Sequence, residues 1–212
     1  MPSTMNESLF FRRVAVFLSA FVYWAGVWVQ ARRVRKRIGR SPNLKPRGAR
    51  EKMLWLGWFV VILVWLGQPF LIQSDQAIPG LRLASSLLTP FSLVAGLVLI
   101  LIGYACTLWC YKVMGTAWRI GINPGEKNFL VTGGPYGAVR HPIYLFQIVM
   151  LAGVVLLLPT LCSLLILVIH LICVLIKACD EESYLRGVHG KDYEGYMART
   201  GRLLPRLVRR TS

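Results

Sequence analysis

Hydrophobic residues occur in five long runs, separated by segments rich in charge or in glycine and proline. A helix needs about 20 residues to cross a bilayer, and each run approaches or exceeds that length. The pattern therefore predicts an all-α integral membrane protein with five transmembrane helices and a single membrane domain over residues 1–212. The predicted spans are Phe10–Gln30, Met53–Ile72, Ser86–Tyr111, Ile143–Leu158 and Leu161–Cys179.

The fourth and fifth runs are predicted to form a tight antiparallel hairpin. The dipeptide Pro159-Thr160 leaves almost no connection between them. The fourth run is short, and Pro142 directly before it is a residue type favoured in the first helical turn. We expect the fourth helix to include Pro142.

Composition supports the membrane class. Hydrophobic residues make up 55% of the chain and charged residues only 16%, and the mean hydropathy is +0.54. The net charge of +16 would suggest nucleic acid as a partner in a soluble protein. No nucleic-acid-binding motif accompanies the charge, so we interpret it as a topology signal and predict membrane lipids, not nucleic acid, as partners.

The distribution of Lys and Arg predicts the orientation. Ten of them lie between Ala31 and Lys52, directly after the first run, where they replace the small residues of a signal-peptide cleavage site. An N-terminus outside leaves three basic residues outside and twenty-two in the cytoplasm. We expect a multi-pass protein of a bacterial inner membrane, with the polar segments 112–142 and 180–212 in the cytoplasm. The three outside are Arg12, Arg13 and Arg82.

Few residues inside the runs suggest chemistry. The five cysteines lie in or beside apolar runs, and no Cys or His pair completes a zinc set, so we predict no metal site. His170 lies in the middle of the fifth run. An ionisable residue inside a membrane is a candidate functional residue, although a neutral histidine bonded to a neighbouring helix is also common.

Two polar clusters border the last two runs. Arg140 and His141 directly precede Pro142, and the acidic triplet 180–182 follows the fifth run. Carboxylates at a helix C-terminus are unfavourable unless a bound cation, or basic residues such as Arg140 and Lys177, offset them. Continuation of the fifth span into the tail as one helix would also relieve the cost. The alternative for Arg140-His141 is an interfacial helix cap touching lipid phosphate. The tail after the triplet is aromatic, basic and amphipathic, which predicts a segment lying on the bilayer.

Two stretches around these clusters carry a family resemblance. They are LVTGGPYGAVRHPIY at 130–144 and EESYLRGVHGKDYEGYMARTGRLLP at 181–205. Together they resemble the isoprenylcysteine carboxyl methyltransferase family and, more broadly, the membrane methyltransferases that include phospholipid N-methyltransferases. The segment MGTAWRIGINPGE at 114–126 is similar to bacterial members. The resemblance covers about the last hundred residues.

The resemblance implies an S-adenosylmethionine site between the C-terminal helices and the cytoplasmic surface. A carboxylate there has a reason to exist, because this cofactor carries a sulfonium and an ammonium. The acceptor is expected to be a lipophilic small molecule or prenylated compound from the bilayer. By position, the residues implied in cofactor binding are Asn128, Phe129, Leu130, Val131, Tyr136, His141, Pro142, Ile143, Tyr144 and Glu181.

The catalytic candidates are Lys177, Arg140 and Glu182, and their roles depend on the acceptor. A carboxylate acceptor needs only a cation such as Lys177, Arg140 or Arg119, whereas an amine needs a base such as Glu182 or His141. The closer motif match favours carboxylate O-methylation over phospholipid N-methylation. However, eukaryotic members place an Arg where this chain has Lys177, and Lys cannot form the bidentate fork.

Two further alternatives stay open at the level of sequence. Sterol reductases, which use NADPH, have a related C-terminal helical region, and the abundant arginines would suit the extra phosphate of that cofactor. A small lipid-binding membrane protein without catalytic activity is the non-enzymatic alternative. The sequence does not determine the oligomeric state.

Overall fold

The computed structural model describes residues 2–39, 48–72, 78–118 and 129–206. These residues form mainly α-helices, joined by short 3-10 turns at Pro79–Leu81, Ser85–Leu87, Gly115–Ala117 and Gly134–Gly137. The helices are α1 (Pro2–Ile38), α2 (Gly48–Leu71), α3 (Pro90–Met114), α4 (Pro142–Leu157), α5 (Leu161–His189) and α6 (Lys191–Arg199).

Each predicted run corresponds to one of the helices α1 to α5, although residues 86–89 precede α3, and Ile72 and Leu158 lie just beyond α2 and α4. In the described part of the chain, α1, α2, α3 and α5 are long and apolar enough to cross a membrane, and α4 is a shorter apolar helix of 16 residues. The prediction of an all-α membrane protein is confirmed. α4 begins at Pro142 as expected, and only residues 158–160 separate α4 from α5.

The boundaries of α1 and α5 differ from the predicted spans. α1 continues to Ile38 through the basic stretch, because Arg and Lys are good helix formers and favour a helix C-terminus. The guanidinium of Arg32 lies 3.6 Å from the centroid of the Trp28 ring. α5 continues past the acidic triplet to His189. Glu181 and Glu182 therefore lie inside a helix and not at its end.

Large apolar side chains cover the outside of the bundle. Phe91 is 79% exposed, Leu101 66% and Phe11 65%. Such contiguous apolar surface is rare on soluble monomers and is typical of contact with lipid. A separate set of side chains fills the interior, among them Val16, Trp65, Met150, Val154, Leu157 and Ile166.

Glycines bring α3 and α4 into close contact. A Cβ atom on Gly153 would lie 2.7 Å from the carbonyl oxygen of Gly96, and one on Gly103 would lie 2.7 Å from that of Phe146. Small residues at helix interfaces allow such an approach in membranes, where packing replaces the hydrophobic effect. This interface fixes α4, whose first residues belong to the site described below.

A buried arginine joins three helices at the opposite end of α4. Arg12 of α1 is 2% exposed and donates to the carbonyl oxygens of Thr89 (2.6 Å) and Leu157 (3.3 Å) and to Ser92 Oγ (3.2 Å). The start of α3 and the end of α4 therefore meet at one point. Orphan carbonyls at a helix C-terminus need such donors.

Candidate functional site

A cavity of about 550 Å³ lies between α1, α2, α5, α6 and the start of α4. One end, here called the polar end, is lined by ionisable groups that include Arg140, His141 and Glu181. The other end, here called the aromatic end, lies between the apolar parts of α1, α2 and α5. Its lining includes Tyr23, Trp24, Trp58, Phe59, Ile62 and Trp65.

The chain before α4 turns sharply to place His141 at the polar end. Gly134 has a φ of +56°, which favours glycine, and a Cβ there would lie 3.0 Å from Val113 Cγ2. His141 is the N-cap residue of α4, yet its side chain makes no cap hydrogen bond. The imidazole is therefore available to α5, and it stacks on the ring of Tyr144 with centroids 5.7 Å apart.

The three acids of the triplet have separate partners. Asp180 pairs with Arg50 at 3.0 Å. Glu181 accepts a hydrogen bond from the Tyr144 hydroxyl at 2.9 Å and lies 3.4 Å from His141 Nδ1. Glu181 lines the cavity, and neither of these two partners is an arginine or a lysine.

Glu182 is buried beside the cavity, where two arginines bind its carboxylate. Arg140 Nε donates to it at 2.9 Å, and Arg202 donates to both of its oxygens at 3.0 and 2.8 Å. Glu182 is 2% exposed and does not line the cavity. The prediction that Arg140 offsets the acidic cluster is confirmed by this pair. The arrangement gives Glu182 the geometry of an anchor for the two arginines.

His141 lies between the two glutamates. Its Nε2 is 3.2 Å from Glu182 Oε1, and its ring is buried. Burial opposes the charged imidazolium, but hydrogen bonds to Glu181 and Glu182 outweigh that effect, so the pKa of His141 is raised.

The segment after α6 closes the polar end. The backbone N–H of Arg140 donates to the Gly201 carbonyl at 2.8 Å, and that of His141 donates to the Arg202 carbonyl at 3.1 Å. Val139 and Gly201 form an isolated parallel bridge. The Arg140 side chain also donates to the carbonyl oxygen of Thr200. We call these contacts the C-terminal clamp.

α6 packs two tyrosines on the site, and the expectation that this segment lies on the bilayer stays a prediction. Tyr193 is fully buried and Tyr196 is 4% exposed. The Tyr196 hydroxyl donates to the Tyr136 carbonyl at 2.6 Å. The buried tyrosine face of this amphipathic helix covers the cavity.

Lys177 lines the cavity four residues before Glu181, as expected for one helix face. Its ammonium donates to Glu51 Oε1 of α2 at 3.2 Å. Lys177 is 5% exposed, whereas the Glu51 side chain is 25% exposed, so only the lysine side of this pair is shielded from solvent. Lys177 thus offsets Glu51, and it forms no ion pair with the triplet.

Three buried polar atoms around the cavity have no hydrogen-bond partner within the described protein. They are the hydroxyl of Tyr193, the Nε1 of Trp24 and the Nε2 of His170. Buried polar groups are normally hydrogen-bonded, so these three atoms are exceptions within the described residues.

The structure brings eleven of the thirteen predicted site residues to the cavity lining. Glu182 lies beside it, and Asn128 lies outside the described residues. The eleven are Phe129, Leu130, Val131, Tyr136, Arg140, His141, Pro142, Ile143, Tyr144, Lys177 and Glu181.

Sequence reasoning missed four residues of the site. Tyr193 and Tyr196 are spaced three apart in an amphipathic segment, which could have indicated that they share a buried face. Glu51 stands in the first turn of α2 among basic residues, and Arg202 follows a Thr-Gly pair. Nothing local in the sequence signals the partners of these last two, because both contacts join distant segments.

The fold and the cavity define a multi-pass helical membrane protein with a charged pocket that continues between apolar helices. Residues 91–192 match the family model described as phospholipid methyltransferase. This stretch, 102 of the 212 residues, is thus similar to a family of membrane methyltransferases that includes members like the isoprenylcysteine carboxyl methyltransferases. A comparison with curated proteins gave no significant match. The family resemblance inferred from the two motifs is confirmed.

Proposed function

We propose that the chain transfers a methyl group from S-adenosylmethionine to a lipophilic acceptor that reaches the cavity from the bilayer. The single observation that carries this proposal is the cavity itself, which joins a polar end holding the Glu181 carboxylate to an aromatic end among membrane-spanning helices. The match to the phospholipid methyltransferase family supports methyl transfer over the NADPH reductase and the lipid-binding alternatives, since that family implies S-adenosylmethionine use in general.

The residues of the polar end fit S-adenosylmethionine. Glu181 lines the cavity and offers a carboxylate to a cationic ligand. The backbone at 129–131 lies outside helices and lines the cavity, so its polar groups suit adenine or ribose. When bound, S-adenosylmethionine supplies an electrophilic methyl group on its sulfonium sulfur.

The chain's own contribution is mainly alignment and exclusion of water. In-line displacement is accelerated chiefly by holding the reacting atoms in one geometry. The arginine anchors of Glu182 and the C-terminal clamp hold His141 and Tyr144 in place. α6 covers the polar end with two buried tyrosines. These elements make the polar end a rigid compartment.

The binding proposal is tested with the variant Glu181→Gln. Loss of a charged hydrogen bond should weaken S-adenosylmethionine binding about ten- to a hundredfold. The matched control is Asp180→Asn, which removes the neighbouring carboxylate that pairs with Arg50. Calorimetry on the detergent-solubilised protein measures both affinities. Equal affinities for wild type and a folded Glu181→Gln variant would contradict the role of Glu181.

The first candidate acceptor is a carboxylate, as in isoprenylcysteine-like O-methylation. Lys177 supports it, because its buried ammonium lies on the cavity wall four residues before Glu181. It has three donors, and the contact with Glu51 engages one of them.

The second candidate acceptor is a phospholipid amine, and the Glu51 contact favours it. A carboxylate that already holds one ammonium at 3.2 Å is suited to hold another. An amine must also lose a proton before transfer, and Glu51 would accept it. Glu182, expected from the sequence to be a possible base, instead binds two arginines.

The variant Lys177→Met distinguishes the two acceptors. If the acceptor is a carboxylate, Lys177→Met should leave S-adenosylmethionine binding unchanged and lower the turnover rate. Lys177→Arg should retain the turnover rate. With an amine acceptor, Glu51→Gln should lower turnover more than Lys177→Met does. Methyl-labelled cofactor and lipid extracts provide the assay. Wild-type turnover of an identified carboxylate by Lys177→Met would refute the role of Lys177.

A further inference from the structure

Gln147 is a polar side chain of the cavity wall that the proposed reaction does not use. It lies on α4 three residues after Tyr144, on the same helix face and about 4.5 Å further along the axis. Both side chains line the cavity. The Tyr144 hydroxyl donates to Glu181 at 2.9 Å, so Gln147 lies one helical turn further into the membrane than this contact.

A contact with α1 orients the carboxamide of Gln147. Its Nε2 donates to the hydroxyl of Tyr23 at 2.5 Å. Tyr23 is 2% exposed, and its ring stacks on that of Trp65 with centroids 5.8 Å apart. Trp65 in turn donates its Nε1–H to Ser19 Oγ at 3.1 Å. One half of the amide group is therefore held by packed side chains.

The other half of the amide group is open. The carboxamide oxygen of Gln147 makes no hydrogen bond with the described residues, yet it is not one of their fully buried polar atoms. It therefore retains accessible surface, unlike the buried nitrogens of Trp24 and His170. Gln147 is a half-buried residue of the cavity lining, so this oxygen is accessible to a ligand there.

The chemistry of this oxygen selects a hydrogen-bond donor. An amide oxygen only accepts, so a ligand group that satisfies it must carry an N–H or O–H. A carboxylate ligand would bring a second acceptor and a negative charge against the negative end of the amide dipole. The carboxylates of Glu51 and Glu181 line the same cavity. A nitrogen that bears hydrogens suits this wall better than a carboxylate does.

We infer that Gln147 is a specificity-determining residue of the proposed methyl transfer, and that its carboxamide oxygen holds an N–H of an amine acceptor. This inference rests on the proposed function and selects its second candidate, a phospholipid amine. An N–H directed at Gln147 leaves the nitrogen lone pair to face the methyl group. Such alignment is the main source of rate in an in-line displacement.

The reaction removes the hydrogens that Gln147 recognises. The ammonium of the acceptor first gives a proton to a base, the role proposed for Glu51. The lone pair of the neutral amine then forms the nitrogen–carbon bond, while the methyl–sulfur bond breaks and its electron pair stays on sulfur. A neutral primary amine has two N–H groups, a monomethyl amine has one, and a dimethyl amine has none. Gln147 therefore assists the first and second transfers and not a third.

The first test measures binding without methyl transfer. Dihexanoyl phosphatidylethanolamine and dihexanoyl phosphatidylcholine carry the same charges, but only the ethanolamine lipid has N–H groups. Calorimetry measures their binding to the full-length, cofactor-free protein in detergent, with protein-free micelles as the blank. The wild type should prefer the ethanolamine lipid by about two- to tenfold, the contribution of one net hydrogen bond, and Gln147→Leu should lose this preference. Equal affinities in the wild type, or a preference that survives Gln147→Leu, would overturn the inference.

The second test measures turnover of phosphatidylethanolamine and of its monomethyl and dimethyl derivatives with methyl-labelled cofactor. Gln147→Leu should lower kcat/KM for the first two lipids by about two- to tenfold and leave the value for the dimethyl lipid unchanged. Gln147→Glu keeps an accepting oxygen and should retain turnover of the first two. An equal loss on all three lipids would show a merely structural role, and a wild type that methylates only carboxylates would also overturn the inference.

Gln68→Leu is the matched control, because it makes the same substitution outside the cavity lining. Gln68 accepts a hydrogen bond from Ser163 Oγ at 3.0 Å, so its loss should lower stability without changing the ratio of turnover among the three lipids. Calorimetry with S-adenosylmethionine on the same preparations keeps the two proposals separate. Failure of cofactor binding in the wild type would count against the proposed function, whereas the preference between the two dihexanoyl lipids still decides the role of Gln147.

Discussion

Glu181 and Glu182 are adjacent in the chain, both contact His141, and otherwise bind different side chains. Successive residues of a helix are turned by about 100°, so one carboxylate faces the cavity and the other faces the C-terminal clamp. Glu181 is bound by a tyrosine and a histidine, and Glu182 by two arginines. At the scale of single residues, the site separates a ligand-facing charge from a structural one.

His141 gives the site a pH dependence. Its pKa is raised in the folded protein, so its contribution to stability is complete below its unfolded pKa of about 6.5 and is lost as pH rises through the folded value. The difference in melting temperature between wild type and His141→Gln should therefore shrink as the pH is raised from below 6.5 towards alkaline values. Thermal unfolding in detergent at a series of pH values measures this difference in melting temperature. A difference that does not change with pH would show that His141 is not charged in the folded protein.

At the scale of elements, the glycine contacts between α3 and α4 set the position of His141. Gly153→Ala would place a methyl group 2.7 Å from the Gly96 carbonyl oxygen and 2.9 Å from Ile100 Cγ1. Such overpacking should lower the free energy of unfolding by about 1–3 kcal/mol. The control is Gly67→Ala in α2, where a Cβ would meet no atom within 4 Å. Thermal unfolding should show a lower stability for Gly153→Ala than for Gly67→Ala. Equal stabilities would mean that the α3–α4 interface accommodates the methyl group without loss of free energy.

The local sequence predicts the positions of the helices better than it predicts where each helix begins and ends. Apolar runs located the centres of α1 to α5, because a bilayer selects length and hydropathy, which are local properties. The hydropathy pattern does not predict the basic continuation of α1, because the first charges mark the end of the apolar part of the helix and not the end of the helix itself. The meeting of His141 with Glu181 could be predicted from a family resemblance. The contacts of Lys177 with Glu51, and of Glu182 with Arg202, depend on how distant segments pack, and helical periodicity carries no information about them.

At the scale of the whole molecule, α4 decides the number of membrane crossings. Its first residues meet α5 at His141, and its last carbonyls meet Arg12 and the start of α3. It therefore runs the length of the bundle although it has 16 residues, or about 24 Å of helix. This geometry supports five crossings, with the N- and C-termini on opposite sides of the membrane.

The orientation prediction places the N-terminus outside and the C-terminus in the cytoplasm, as the distribution of basic residues requires. Single cysteines replacing Ser3 or Ser212, in a chain whose five native cysteines are removed, should react with an impermeant maleimide from opposite sides. The labelling of sealed and permeabilised vesicles measures this. Reaction of both positions from the same side would contradict five crossings.

The C-terminal clamp links the site to the order in which the chain is synthesised. Polypeptides emerge from the ribosome N-terminus first, and their earlier segments insert and fold before the later ones exist. Helices α1 to α5 are complete at His189, whereas the partners of Arg140 and His141 include Thr200, Gly201 and Arg202. The polar end therefore cannot take up its described arrangement until residues 200–202 have been synthesised, so its closure is a late step in the folding of the chain.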